Sequence, residues 1–468
     1  MDTYPRVRYV WSRELQDVVD QLPANEGRSS LVHGLIHALQ LLYPNSTSAR
    51  EQSPDKLHPS KQRALIVPPD VSLATGSCLR QYHDPAYVDL LLRTKDLDET
   101  SKYESDDSSI DSSSSSRPRK RLKTEYHGLE FDCPPFPSLP RYALLVSAST
   151  QTACRLLACS QADITINWDG GRHHALRNRA SGFCYVADVV LGIMLLAKEG
   201  QARSANTTMK RRPRIMYLDL DLHYGDGVAQ AFLSPTDYPP NLPAGRNPPR
   251  PPQVLTLSLH HHSTIFFPPP STHSGMPNKG TSHPFTLSLP LGAYSSSTTY
   301  ARVWTSCVEP IKLAFDPDYI VLQLGVDGLP CDPIGRYGAW SVDGEGGVAW
   351  CVQKAKDWRL PMCVLGGGGY DHANTARSWA TATSVLLGRE LIPDTAVPDY
   401  HGFPEFAPSY TFEVPHSSTP DENTDTSLIE TEAVFAATAA RIHSIVAGQG
   451  QKFQVMSSQQ IIGQASAS

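Results

Sequence analysis

"RIMYLDLDLHYGDG", residues 214–227, begins as a buried strand, with Ile215, Met216 and Leu218, and then sets Asp219, Asp221 and His223 at every second position. Side chains two apart on a strand share a face, so this reading projects the three ionisable groups together. A buried, unpaired carboxylate is costly, and two side by side call for a cation. Open parallel sheets bind ligands beyond the carboxyl ends of their strands, which is where "GDG" follows. The stretch alone leaves a second reading open: a strand running into solvent, with hydrated acids and a histidine bonded to backbone.

Outward from it, short apolar runs rich in β-branched residues recur at 7–10 (VRYV), 64–67 (ALIV), 164–168 (ITINW), 214–222, 254–259 (VLTLSL), 319–324 (YIVLQL) and 362–365 (MCVL). Between several of them lie helix-length periodic segments, "SSLVHGLIHALQLLY", "DVVLGIMLLAKEG", "TTYARVWTSCVEPIKLAF" and "GVAWCVQKAKDWR". Strands alternating with helices predict an α/β fold with a parallel sheet covered on both faces. Residues 94–126 and 234–252 break the pattern, being rich in Ser and Asp or in Pro. Such segments bury too little apolar surface to offset their ordering entropy, so they read as surface insertions. The expected organisation is one catalytic domain over 1–445, then a polar tail at 446–468.

The 468 residues are 40% apolar, enough for a substantial core. A net charge of −6 argues against a general nucleic-acid coat, and no sequence-specific nucleic-acid binding is expected. The N-terminus lacks a signal-type apolar core and no apolar run is long enough to span a membrane, so no membrane association is expected. Nine scattered cysteines without a C-x-x-C pair point to a reducing compartment.

Other segments repeat the ionisable signal. Asp327 follows the apolar run 319–324, and Asp221, His223 and Asp327 would make three mixed oxygen and nitrogen donors with room for water, as catalytic metal sites require. The pair His173 and His174 follows "ITINWDGG"; adjacent histidines are commonly a surface accident, but this pair sits beyond a strand. "VLGGGGYD" places Tyr370 after four glycines, which let backbone approach a ligand closely. The "HHH" at 260–262 reads as a loop, because nothing else in that segment completes a site.

"INWDGGRHHA…ASGFCYVADVVLGI", "YLDLDLHYGDGVAQAF", "VLTLSLHHH…FFP", "VLQLGVDG…DP" and "LGGGGYDHANTARSW" together resemble the successive motifs of the metal-dependent histone deacetylases, class I in particular. The likeness extends from "YVWSRELQ" to "PDYHGFPEFAPSYTFEV". It implies an arginase-like fold, a central eight-stranded parallel sheet flanked by helices, with the active site at the C-terminal ends of the strands. It implies zinc, or iron(II), held by Asp221, His223 and Asp327. His174 would be general base and then acid with Asp226 as partner, His173 would pair with Asp219, and Tyr370 would donate to the oxyanion. A structural potassium ion would involve Asp219, Asp221, His223, Ser258 and Leu259. Gly182, Phe183 and Phe267 would wall a lysine tunnel, with Asp132 and Ile334 at the substrate rim; without the motif, Phe183 and Phe267 read as core.

The resemblance further implies hydrolysis of acetyl-lysine, or longer acyl-lysine, in histone tails or other proteins, in chromatin regulation and repression, with a corepressor complex as partner. An acetylpolyamine amidohydrolase and a weakly active corepressor scaffold are the alternatives. Tyr224, Ala187 and Arg172 depart from the family pattern, and Arg172 bears on the pocket behind the metal. The basic run "RPRKRLK" at 117–123 reads as a nuclear address, placing the chain in the nucleus and also in the cytoplasm, with a DNA-phosphate contact or a solvated charged loop as the alternatives.

Overall fold

Eight strands form a single all-parallel sheet in the order β2-β1-β3-β8-β7-β4-β5-β6. They are β1 Val7–Val10, β2 Leu65–Val67, β3 Ile164–Asn167, β4 Ile215–Asp219, β5 Val254–His261, β6 Thr286–Leu291, β7 Tyr319–Gln323 and β8 Met362–Leu365. The computed structural model describes residues 4–43, 62–93, 127–203, 211–233, 253–271, 274–276 and 284–465, with side chains to 447. Both expected insertions, 94–126 and 234–252, lie outside the described residues.

Alternation along each strand feeds two cores. Met216 and Leu218 join Leu255, Leu257, Ile320, Leu322 and Val364 on one face. Ile215 and Tyr217 join Val254, Val321, Cys363 and Leu365 on the other, beneath the helices Leu139–Ala158 and Asp188–Glu199. Strands buried on both faces need near-continuous apolar sequence, and that is why the interior strands were legible as apolar runs; the edge strand β2 was legible as well, although its residues are only partly buried or exposed.

The eighth, β6, was not among those runs. It carries Pro290, which removes a backbone donor, and it is tolerated because β6 is an edge strand. Two expectations need correcting. The run 214–222 is strand only over Ile215–Asp219, and Asp221 and His223 lie in the turn beyond it. The "HHH" segment is not a loop: His260 and His261 end β5 and are buried, with His260 held by the Ser274 carbonyl at 3.2 Å.

The periodic segment 298–315 is helical but interrupted, with a π-helical turn at Trp304–Val308 between Ser297–Val303 and Glu309–Phe315. Pro310 follows that turn and lacks the N–H that would continue the regular ladder into it. The last helix, Asp425–Ala465, runs through residue 446, where the sequence reading begins a polar tail. Its Leu428, Phe435 and Ile442 are buried against the larger core.

Candidate active site

Because every strand runs the same way, the segments after β3, β4, β7 and β8 emerge together at one end of the sheet centre. β4 delivers Asp219, Asp221 and His223, β7 delivers Gln323 and Asp327, β3 leads into His173 and His174, and β8 into the glycines and Tyr370.

Asp221, His223 and Asp327 are buried, and their donor atoms all lie within 4.8 Å of one another. His223 Nδ1 is 2.7 Å from Asp327 Oδ2 and 3.4 Å from Asp221 Oδ1. The carboxylates are oriented from behind: Asp221 Oδ2 accepts from Gln323 Nε2 at 2.9 Å and from the Gly368 N–H at 2.8 Å, and Asp327 Oδ1 accepts from the Leu222 N–H at 2.9 Å. Burial and the Asp221 charge push the Asp327 carboxyl up; burial opposes a charged His223, but Asp327 and Asp221 outweigh it and raise its pKa. Two carboxylates and an imidazole with a nitrogen facing both thus compete for a proton in a dry site. A divalent cation satisfies all three at once, so the donor set fits a metal.

Asp219 does not belong to that cluster. Its Oδ2 lies 2.9 Å from His173 Nδ1 and accepts from the Tyr217 hydroxyl at 2.7 Å. Burial disfavours a charged His173, but Asp219 and Asp221 prevail and bring its pKa to about 9. His174 Nδ1 lies 2.8 Å from Asp226 Oδ1; burial, followed by the neighbouring His173 charge, lowers its pKa to about 4 despite Asp226. Adjacent imidazoles, with ring centroids 4.0 Å apart, thereby take opposite protonation tendencies: at His173 burial is overcome by Asp219 and Asp221, whereas at His174 burial and the His173 charge overcome Asp226. Burial keeps the Tyr370 phenol protonated, and its ring meets Phe183 edge-on at 5.6 Å.

Of the residues expected at the substrate tunnel and rim, Gly182, Phe267 and Asp132 lie together beside His174. Gly182 has φ +54, and a Cβ there would lie 2.5 Å from His174 Cδ2 and 2.8 Å from Phe267, so only glycine fits. The Gly182 N–H donates to Asp132 Oδ2 at 2.7 Å, tying the two together. Phe267 packs edge-on to His174 at 4.9 Å, while Ile334 is 40% exposed. Ser258 pairs with Asp219 across β4 and β5, with Leu259 next along the strand. Tyr224, which departs from the family pattern, has its ring 4.7 Å from the His260 ring and its hydroxyl buried without a hydrogen-bond partner among the described residues, and the Ala187 N–H donates to His83 Nε2 at 3.0 Å.

Sequence reasoning missed the supports. Asp332, in the "DP" of the fourth motif, accepts from the N–H groups of Ile334, Gly335, Tyr370 and Asp371. Gln323 was visible as a lone polar residue inside an apolar strand. Arg28 had no local signal; it arrives from the helix Arg28–Ala38 to bond the Gly367 and Gly369 carbonyls.

A family model described as "Histone deacetylase domain" matches residues 46–386. Histone deacetylase 8 of Danio rerio is 31% identical over 419 residues, 89% of this chain and 90% of the relative. Histone deacetylase 8 of Xenopus tropicalis is 30% identical over 416 residues, 89% and 92% of the two chains. Histone deacetylase 9 of Arabidopsis thaliana is 34% identical over 298 residues, 64% and 62%. The matched span contains the buried Asp221, His223 and Asp327 cluster, both histidine–carboxylate pairs and Tyr370, and the chain belongs to the metal-dependent histone deacetylase family.

Proposed function

We propose that this chain hydrolyses N6-acetyl-lysine, or longer acyl-lysine, in histone tails or other proteins, releasing lysine and the carboxylic acid. The observation that carries the reading is that two histidine–carboxylate pairs, a buried Asp–His–Asp donor set and a protonated tyrosine meet at one end of the sheet. Asp221, His223 and Asp327 would hold zinc, with iron(II) as the alternative. When bound, the ion polarises the acyl carbonyl and brings the pKa of water from 15.7 toward about 7.

His174 Nε2, kept neutral, takes the proton from the attacking water and later returns it to the departing amine; one imidazole serves both because the transfers are sequential. Asp226 holds the Nδ1 proton and thereby fixes the tautomer. His173, charged against Asp219, stabilises negative charge developing nearby. The Tyr370 hydroxyl donates to the oxyanion, and loss of such a donor typically reduces kcat by about 10²–10³. Phe183, Phe267 and Gly182 enclose the lysine methylenes, whose burial contributes on the order of 0.8 kcal/mol each. Asp132 keeps one oxygen for substrate backbone, and Ile334 lines the rim.

A potassium ion at Asp219, Asp221, His223, Ser258 and Leu259 belongs to the same reading, supported by the pairing of Asp219 with Ser258. So do a single catalytic domain over 1–445, a role in chromatin repression with a corepressor partner, and residence in the nucleus and also the cytoplasm. The nuclear part rests on the basic run 117–123, outside the described residues. Among the described residues no helix is long and apolar enough to cross a membrane. The test is turnover of acetyl-lysine peptides against acetylpolyamines, with metal content measured on the same sample. Turnover of the polyamines alone would reject the protein-lysine reading, and turnover of neither by the metal-loaded protein would reject hydrolysis.

A further inference from the structure

Behind the paired histidines the fold buries two guanidinium groups that have, among the described residues, no carboxylate within ion-pair distance. Arg28, 2% exposed, donates from Nη1 to the carbonyls of Gly367 at 3.1 Å and Gly369 at 2.8 Å. Arg172, 3% exposed, donates from Nη2 to the Asp169 carbonyl at 3.1 Å, and its Nε has no hydrogen-bond partner among the described residues. The Tyr142 hydroxyl is likewise buried without a partner. It lies close enough that the Arg172 charge opposes the rise that burial imposes on its phenol.

The nearby acids are engaged elsewhere. Asp169 accepts from Ser29 Oγ at 2.7 Å and lies 3.0 Å from His33 Nε2; Asp188 accepts from Thr150 Oγ1 and from the Gly171 and Arg172 N–H groups. Both arginines are tied to one floor, because Ser29 follows Arg28 and bonds the residue whose carbonyl holds Arg172. The floor adjoins the reaction centre: Arg28 is bonded to the glycine loop that carries Tyr370, and Arg172 is joined directly to His173.

Buried donors without acceptors are expensive to maintain, and the Arg172 charge, opposed by burial, is offset by Tyr142, Cys184, Asp188 and Asp169 without any carboxylate bonding the guanidinium directly. An unpaired guanidinium N–H and a phenol hydroxyl both ask for an acceptor, and the positive charge asks for an anionic one; a carboxylate suits a guanidinium best. We infer that Arg172 and Tyr142 form a carboxylate subsite, and that this chain accepts lysine acylated with a dicarboxylic acid, of the malonyl, succinyl or glutaryl class. The inference rests on the proposed lysine deacylase reading and names its substrate class. The chemistry is the same hydrolysis: the amide C–N bond breaks, water supplies the new C–O bond, the dicarboxylate leaves and the lysine amine takes up the proton. A neutral acyl group leaves the subsite unpaired, and that mismatch is what produces discrimination.

The test compares peptides bearing acetyl-, malonyl-, succinyl- and glutaryl-lysine on the metal-loaded protein. At least one acidic acyl group is expected to match or exceed acetyl in kcat/KM. The acidic-to-acetyl ratio should fall about tenfold or more in Arg172→Leu, as for loss of a hydrogen bond to a charged group, and less in Arg172→Lys and Tyr142→Phe. Calorimetry with glutarate should show binding weakened about tenfold or more in Arg172→Leu; carboxylate bound at the metal would be indifferent to that change. Should Arg172→Leu fail to fold, the ratios in Arg172→Lys and Tyr142→Phe decide. Hydrolysis of acetyl-lysine with none of the acidic groups removed overturns the inference, as do unchanged ratios in the variants. Glutarate binding equal in wild type and Arg172→Leu overturns it too. If no acyl-lysine is hydrolysed, the deacylase reading falls, and the calorimetric comparison still judges the subsite.

Discussion

Replacing Asp332 by Asn changes no atom that touches substrate, yet it should slow the reaction. The Asp332 side chain is buried, and its Oδ1 accepts from the N–H groups of Ile334 at 3.0 Å and Gly335 at 2.7 Å. Its Oδ2 accepts from those of Tyr370 at 2.7 Å and Asp371 at 3.3 Å. An amide keeps one oxygen, so two of these contacts become donor against donor. Hydrogen bonds to a charged group contribute about 1.5–3 kcal/mol each. Counting the Asp371 contact lightly because it is long, the loss is about 3 kcal/mol, falling on the junction between the Tyr370 segment and the rim at Ile334. If Tyr370 is the oxyanion donor, its displacement can reduce kcat by at most the value of that donor, about 10²–10³. The assay is a double-mutant cycle on an acetyl-lysine peptide with equal metal content verified in every variant. Asp332→Asn should lower kcat by about 10–10² in the wild-type background and by less than about threefold in Tyr370→Phe. Equal losses in both backgrounds would show that Asp332 does not act through Tyr370 and would refute the reasoning.

Asp327→Asn should preserve the fold while weakening metal binding by more than the roughly 10–100-fold typical of losing an outer-sphere partner, as metal titration would show; full occupancy and turnover would reject the ligand assignment. Tyr370→Phe alone should reduce kcat by about 10²–10³ with substrate binding little changed, and a loss confined to KM would contradict the oxyanion role. Gly171→Ala should destabilise by at least about 1–3 kcal/mol in denaturant unfolding, since φ is +92 and the new Cβ would lie 2.2 Å from the Gly366 carbonyl oxygen, a backbone atom that cannot rotate away. Neutralising Arg117, Arg119, Lys120, Arg121 and Lys123 should reduce nuclear accumulation of a fluorescent fusion, and unchanged import would leave the solvated-loop reading.

Much of this protein is determined along the chain. The six interior strands declare themselves because a parallel sheet buried on both faces admits little besides apolar residues, and Asp219, Asp221, His223 and Asp327 stand out because each ends or follows such a run. Family motifs added the pairing of roles. What the alternation of Asp219, Asp221 and His223 suggests by itself, three groups sharing one face, is overruled by the end of β4 at Asp219: the chain turns, and Asp221 and His223 face Asp327 while Asp219 faces His173. Local sequence cannot give two neighbouring histidines opposite protonation tendencies; the fold does so by burying both and bringing Asp219, 46 residues away along the chain, to His173, while Asp226, 52 residues from His174, is outweighed by burial and the His173 charge. The edge strand β6 hid behind its proline because an edge tolerates what a central strand excludes. Arg28, bonded to carbonyls 339 and 341 residues further on, has no sequence signal at all, since only the closing of the sheet brings the first helices over the glycine loop. Residue types and their order are set by local burial, but which charge meets which is set by the ends of strands distant in sequence, and that only the tertiary fold decides.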